Sequence, residues 1–157
     1  ITEEALPGEI RIKGDNVFLE YWDNEKATRE SFKDGWFCTG DVAVVEDGYY
    51  RIMGRSSVDI IKSGGYKLSA LEIEGVLLNH DAIGEVAVIG VEDETWGESV
   101  TAVIALVEGA ELDYDSLKQW CNGKMSSYKI PKAIKIIDEL PRNAMGKVTK
   151  PALKEML

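Results

Sequence analysis

Strand-like and helix-like stretches alternate from Arg55 to the C-terminus, and this interleaving constrains the fold more than any other feature of the chain. Val58-Asp59-Ile60-Ile61 is a short apolar run, and Ser63-Gly64-Gly65 breaks it. Ser69 then reads as the N-cap of a helix, with Glu72 three residues on completing a capping-box pattern. Ile73, Val76 and Leu77 fall on one face of that helix. Two longer β-rich runs follow, IGEVAVIGV near 83–91 and VTAVIALV at 100–107. Asp113 reads as a second N-cap, for a helix that turns Leu117, Trp120 and Cys121 inward and stops at Gly123. Residues 133–137 (AIKII) read as a strand, and Thr149 is placed to cap a last short helix with Pro151 in its first turn. The order β-α-β-β-α-β-α predicts a small α+β domain over 55–157.

Residues 1–54 have a different character. GEIRIK at 8–13 alternates as a half-buried strand, with Ile10 and Ile12 on one side. Residues 20–34 are polar and charged around Tyr21 and Trp22, a loop or short helix. Val42–Val45 and Tyr49–Ile52 form a hairpin joined by a three-residue connection, Glu46-Asp47-Gly48. A β-rich piece of this length is too short to stand as a sandwich or barrel. It reads as the trailing end of a larger N-terminal body, with the boundary at Arg55 to Val58. The chain begins at Ile1 rather than Met, which points to a segment of a longer protein.

The chain's 157 residues are 45% apolar and 29% charged, an ordinary globular mixture. No run approaches the ~18 apolar residues of a membrane span, and no signal-peptide pattern opens the sequence. Eighteen Lys and Arg against 28 Asp and Glu give a net charge of −10, which argues against nucleic acid as a partner. The charge is uneven: residues 118–154 hold nine basic groups against Asp138 and Glu139 alone. A local basic surface on an acidic protein suits a small polyanion, and a solvated helix face is the alternative. Cys38 and Cys121 lack any CxxC spacing, and His80 is the single histidine, so no metal site is expected. His80 lies in a helix-end context, where a dipole partner is the ordinary role. Unpaired cysteines suit a reducing, intracellular compartment.

Three segments have compositions that packing does not require. Thr39-Gly40-Asp41 places a carboxylate just past a turn, where it could accept both hydroxyls of a ribose or simply cap its own turn. In Gly54–Glu74, Arg55 offers a fixed fork for phosphate or ribose, or for stapling two domains together. Gly64-Gly65 in the same stretch would let backbone approach a ligand closely, or make a tight turn before a helix. Pro141–Lys147 (PRNAMGK) has no apolar periodicity and presents Lys147 directly after Gly146, a compact ammonium on a mobile tether. Such a group could sit between a phosphate and a carboxylate that must react, or be an exposed surface lysine.

Taken together, in this order and at these separations, the segments resemble the C-terminal third of the adenylate-forming superfamily. That superfamily includes acyl-CoA synthetases, peptide-synthetase adenylation domains and firefly luciferase. The resemblance runs from Gly8-Glu9-Ile10, Gly14 and Tyr21-Trp22 through Thr39-Gly40-Asp41, Gly54-Arg55, Gly65 and Glu72-Ile73-Glu74 to Gly146-Lys147. It implies that residues 1–54 are the β-rich end of an N-terminal adenylation domain and 55–157 a mobile C-terminal lid domain. It also implies a two-step reaction, in which a small-molecule carboxylate and ATP give an acyl-adenylate and pyrophosphate, and the thiol of coenzyme A then displaces AMP.

By the same resemblance Asp41 binds the ribose hydroxyls, Arg55 assists at the ribose or phosphates, and Lys147 bridges the carboxylate and the α-phosphate. Gly64, Gly65 and Tyr66, with Trp96 beside them, are expected at the coenzyme A thiol channel. Magnesium, the phosphate loop and the acid pocket are expected in the N-terminal domain. Ser57 stands where the superfamily usually has an Asp or Lys after the arginine, so the pivot is not assigned, and Asp59 is a candidate. SVDIIKSGGYKLSALEIE and LPRNAMGKVTK are most similar to the eukaryotic ligases that make malonyl-CoA from free malonate. Medium- or short-chain fatty acids are the alternative substrates, and a lid that is non-catalytic in isolation is the alternative reading of this segment. The malonate resemblance favours the mitochondrial matrix over the cytosol.

Overall fold

The computed structural model describes residues 6–157, which divide into two compact units, the first ending at Ser57 and the second running Val58–Leu157. The division falls three residues after Gly54. Arg55 still pairs with Asp41 in the first unit, and the Ser56 N–H donates to the Gly40 carbonyl at 2.9 Å.

The first unit is a four-stranded antiparallel sheet built around one long strand. Its elements are β1 (Gly8–Ile12), α1 (Glu25–Ser31), β2 (Phe32–Lys33), β3 (Trp36–Glu46) and β4 (Tyr49–Arg55). β3 pairs with β1, β2 and β4. The hairpin predicted between β3 and β4 is present, but its connection has two residues rather than three. Glu46 pairs with Tyr49, leaving Asp47 (φ 51°) and Gly48 (φ 78°) as the turn. Positive φ at both positions gives the turn whose twist matches the strands it joins. The polar stretch after residue 20 forms α1, because Asn24 Oδ1 accepts the Ala27 N–H at 3.0 Å. Phe18 packs edge to face on both Phe32 and Phe37, which are themselves tilted against each other, with centroids 5.0–5.8 Å apart, and the three rings hold that segment against the strands.

The second unit contains β5 (Ile60–Ser63), β6 (Tyr66–Ser69), α2 (Ala70–Leu77), β7 (Ile83–Asp93), β8 (Gly97–Leu106), α3 (Tyr114–Cys121), β9 (Ala133–Ile136) and α4 (Lys150–Glu155). The strands form one sheet in the order β6-β5-β8-β7, with β9 parallel to β8. The mixed α+β class expected from the sequence is the one observed. β7 and β8 read as near-continuous apolar runs because both of their faces are covered. Val86, Val88, Val100, Ala102 and Ile104 pack against Ile73 and Leu77 of α2 and Leu117 and Cys121 of α3. The alternating residues Ala87, Ile89 and Val103 pack on the other face against Leu153 of α4 and Leu140 of the loop after β9.

Ser69 and Asp113 cap α2 and α3 as their spacing predicts, accepting the Glu72 and Ser116 N–H groups at 3.2 and 2.8 Å. Thr149 precedes α4 without making a side-chain cap bond. β6 was not foreseen. Gly64 and Gly65, at φ 58° and 83°, form a two-residue hairpin turn between β5 and β6, with Ser63 paired to Tyr66. Among the described residues no helix is long and apolar enough to cross a membrane.

Candidate functional site

In the first unit, Asp41 and Arg55 are register partners across β3 and β4, and Arg55 Nε lies 3.0 Å from Asp41 Oδ1. The Thr39 hydroxyl closes the preceding turn by accepting the Asp41 N–H at 3.0 Å while donating to the Ile10 carbonyl at 2.9 Å. The Asp41 carboxylate is therefore not consumed in capping its own turn. It lines an open cleft of about 570 Å³ together with Arg55, Thr39, Phe37 and Glu9. A carboxylate held half-exposed beside a guanidinium is shaped to take vicinal hydroxyls and an adjoining phosphate.

In the second unit, Gly64, Tyr66 and Trp96 line one cavity of about 280 Å³, as the sequence grouped them. The Gly64 N–H donates to the Trp96 carbonyl at 2.9 Å. A Cβ at Gly64 would lie 2.9 Å from Trp96 Cε3, so no side chain fits there. Asp93 Oδ1 accepts the Thr95 and Trp96 N–H groups at 2.9 Å each and fixes the turn that carries the indole. Gly65 does not line the cavity and faces open space; it serves the hairpin turn.

Two residues in this cavity were missed from sequence. Lys132 places Nζ 3.4 Å above the Trp96 ring, and Tyr128 stacks on Tyr66 with centroids 4.7 Å apart and planes 11° from parallel. The signal available was their place in the basic stretch 118–154, which gave charge without identifying a partner. Glu98 supports the same hairpin from behind. Its carboxylate packs over Gly90 and accepts the Lys62 N–H at 2.6 Å.

The segment carrying Lys147 is not the mobile tether its composition suggests. The Asn143 N–H donates to the Lys147 carbonyl at 2.9 Å, and Asn143 Oδ1 accepts the Met145 and Lys147 N–H groups at 3.0 Å each. Arg142 donates to the Gly146 carbonyl at 2.8 Å and to Glu85 at 2.6 Å, and the Thr149 N–H closes on the Pro141 carbonyl at 2.8 Å. The backbone beneath Lys147 is thus a hydrogen-bonded turn. The Lys147 side chain is exposed, and its ammonium has no ion-pair partner among the described residues.

Asp59, the pivot candidate, is engaged with Lys150. Lys150 Nζ lies 2.7 Å from Asp59 Oδ1 and 2.8 Å from Glu74 Oε1, a cluster that no local pattern announced. His80 Nδ1 accepts the Ala82 N–H at 3.1 Å and its ring lies 5.0 Å from Trp120, a role in ending α2. Cys121 is buried, and that burial pushes its thiol above the ordinary range, so it is a core group and not a nucleophile. Among the described residues no group of three or more His, Cys, Asp or Glu is placed to hold a metal ion. The described residues offer no site that fits magnesium.

Residues 72–147 match the AMP-binding enzyme C-terminal domain family. The chain is 53% identical over 155 residues to the mitochondrial malonate–CoA ligase of Mus musculus, covering 98% of this chain and 27% of that protein. It is 47% identical over 162 residues to the malonate–CoA ligase of Arabidopsis thaliana, again covering 27% of the relative and 96% of this chain. Among solved structures, ATP-bound MatB from Rhodopseudomonas palustris superposes with a TM-score of 0.86 at 37% identity, over 98% of this chain and 31% of that one. The o-succinylbenzoate CoA synthetase of Bacillus subtilis, in complex with its acyl-adenylate intermediate, gives 0.86 at 37% identity over 97% and 31%. The chain thus spans about a quarter of the length of the curated relatives it matches.

Proposed function

We propose that this chain, whose residues 72–147 match the AMP-binding enzyme C-terminal domain family, is the C-terminal part of an ATP-dependent acid–CoA ligase acting on malonate. The observation that carries the reading is Lys147: an exposed ammonium on a fixed backbone turn, with no carboxylate partner among the described residues. A carboxylate and the α-phosphate of ATP are both anions, and their approach in a partly desolvated site is costly unless a cation lies between them. The charge of Lys147 stabilises the crowded phosphorus centre more than the separated reactants, which is what acceleration requires.

Asp41 and Arg55 hold the ribose and phosphate side of the nucleotide in this reading. The cavity of Gly64, Tyr66 and Trp96, with Tyr128 and Lys132, receives coenzyme A in the second step, and its lysine offers charge to the phosphates of that substrate. Domain assignment follows the same line: residues 1–54 end the N-terminal adenylation domain, and 55–157 form a lid that pivots between the two steps. The N-terminal domain is the chain's principal partner and supplies the acid pocket and the magnesium site. Malonate is supported by the names and the 47–53% identity of the malonate–CoA ligases described above, and the mitochondrial matrix by the name of the Mus musculus relative.

The test is AMP release by the full-length protein with ATP, coenzyme A and a panel of malonate, methylmalonate, acetate and octanoate. Malonate is expected to give the highest kcat/KM. A preference for octanoate would overturn the substrate, and absence of AMP with every acid would overturn the activity. The 157-residue chain alone is expected to release none.

A further inference from the structure

We propose that Lys150 is a positioning residue for Lys147, acting through a nearly buried three-charge cluster that ties the helix after the Lys147 turn to the start of the unit. The proposal rests on the reading above for what Lys147 does, but the coupling itself stands on geometry. The side chains of Lys150, Asp59 and Glu74 keep only 10%, 13% and 14% of their surface. Each comes from a different place. Asp59 is the second residue of the unit, Glu74 lies on α2, and Lys150 is the first residue of α4. Glu74 Oε1 also accepts the Val88 N–H at 2.7 Å, so one of the two carboxylates is pinned to the central strand β7.

Stability alone does not account for this arrangement. Taking three charges out of water offsets most of their mutual attraction, and apolar side chains of similar volume would hold a helix at least as well. What the charges add is a single geometry. One ammonium meets both carboxylates only when α4, α2 and the start of β5 are in one register. α4 needs such a constraint: it has six residues, and Thr149 gives it no side-chain cap. Leu153 buries its middle against Ile89 and Val103, and Lys150 fixes its beginning. Lys147 lies three residues before that fixed point, on a turn whose base closes through Thr149. A displacement of about 1 Å in a reacting group can cost as much as ~100-fold in rate, so the anchorage of α4 is an anchorage of the catalytic amine.

Lys150→Met keeps the apolar stem and removes the charge. Amide exchange of the chain reads the coupling without any turnover: the Gly146 and Lys147 amides are expected to exchange roughly tenfold faster, while those of Val103 and Ile104 keep their protection. In the full-length protein, adenylation is expected to fall roughly tenfold or more, with KM for ATP and thioester formation from supplied acyl-adenylate unchanged within about twofold. Unaltered exchange at Gly146 and Lys147 in a folded variant, or equal loss of both half-reactions, overturns the proposal. If Lys150→Met does not fold, Asp59→Asn decides with the same two readouts, because it leaves Lys150 and Glu74 as a balanced pair. Faster exchange at the Lys147 turn together with adenylation that Lys147→Ala leaves untouched would uphold the coupling and defeat the function assigned to Lys147.

Discussion

Arg55 Nε lies 3.0 Å from Asp41 Oδ1, and the two residues are register partners on β3 and β4. Their side chains orient each other on the hairpin, so in the nucleotide-binding role proposed above the carboxylate is already set. Asp41→Asn in the full-length protein is therefore expected to raise KM for ATP by roughly 10–100-fold, the worth of hydrogen bonds to a charged group. The fold should be unaffected, since Thr39 closes the adjoining turn. Initial rates of pyrophosphate release against ATP concentration check this. An unchanged KM would remove Asp41 from the nucleotide site.

The Trp96 cavity gives a separate expectation for the second substrate. Lys132 sits 3.4 Å above the indole, and the Gly64 N–H is tied to the Trp96 carbonyl. Trp96→Ala removes the aromatic floor and the cation's seat, and is expected to raise KM for coenzyme A about three- to thirtyfold while leaving adenylation intact. Gly64→Ala should act in the same direction, because its new methyl group collides with the indole. Separate assays of pyrophosphate release and of thioester formation distinguish the steps. A loss confined to adenylation would show that this cavity serves the nucleotide instead.

A third expectation concerns pH and the folding of α3. Asp113 caps this helix, and the Ser116 backbone N–H holds its carboxyl below the ordinary carboxylate range. A carboxyl whose value is lowered on folding adds stability above its unfolded value and loses it as the pH falls through the folded one. Asp113→Ala is thus expected to lower the thermal midpoint of the chain at pH 7. The gap to the parent should narrow steadily as the pH is taken below about 4. A gap independent of pH would mean that the carboxylate's charge has no part in the cap.

The elements legible in the sequence were those with a local signature. Ser69 and Asp113 announced their helices because a cap acts within three residues, and β7 and β8 because strands covered on both faces are apolar throughout. β6 was hidden: four residues, Tyr66–Ser69, directly abut a strong helix start, and Gly64-Gly65 reads equally as a break or a hairpin turn. The site was legible in part for the same reason. Asp41, Arg55, Gly64 and Lys147 lie in short motifs, whereas Lys132 meets Trp96 and Lys150 meets Asp59 only through the tertiary fold, the second pair across 91 positions. The rigidity of the Lys147 turn escaped notice because it depends on Asn143 accepting two N–H groups, an arrangement that composition alone does not reveal.

The amine of Lys147 carries the proposed adenylation step, and the two half-reactions of Lys147→Ala in the full-length protein measure its role most directly. Removing the cation is expected to slow adenylation of malonate by at least ~10²–10³-fold. Thioester formation from supplied malonyl-adenylate and coenzyme A should stay within about twofold of the parent. Equal loss of both steps, or adenylation at the parent's rate, would contradict it.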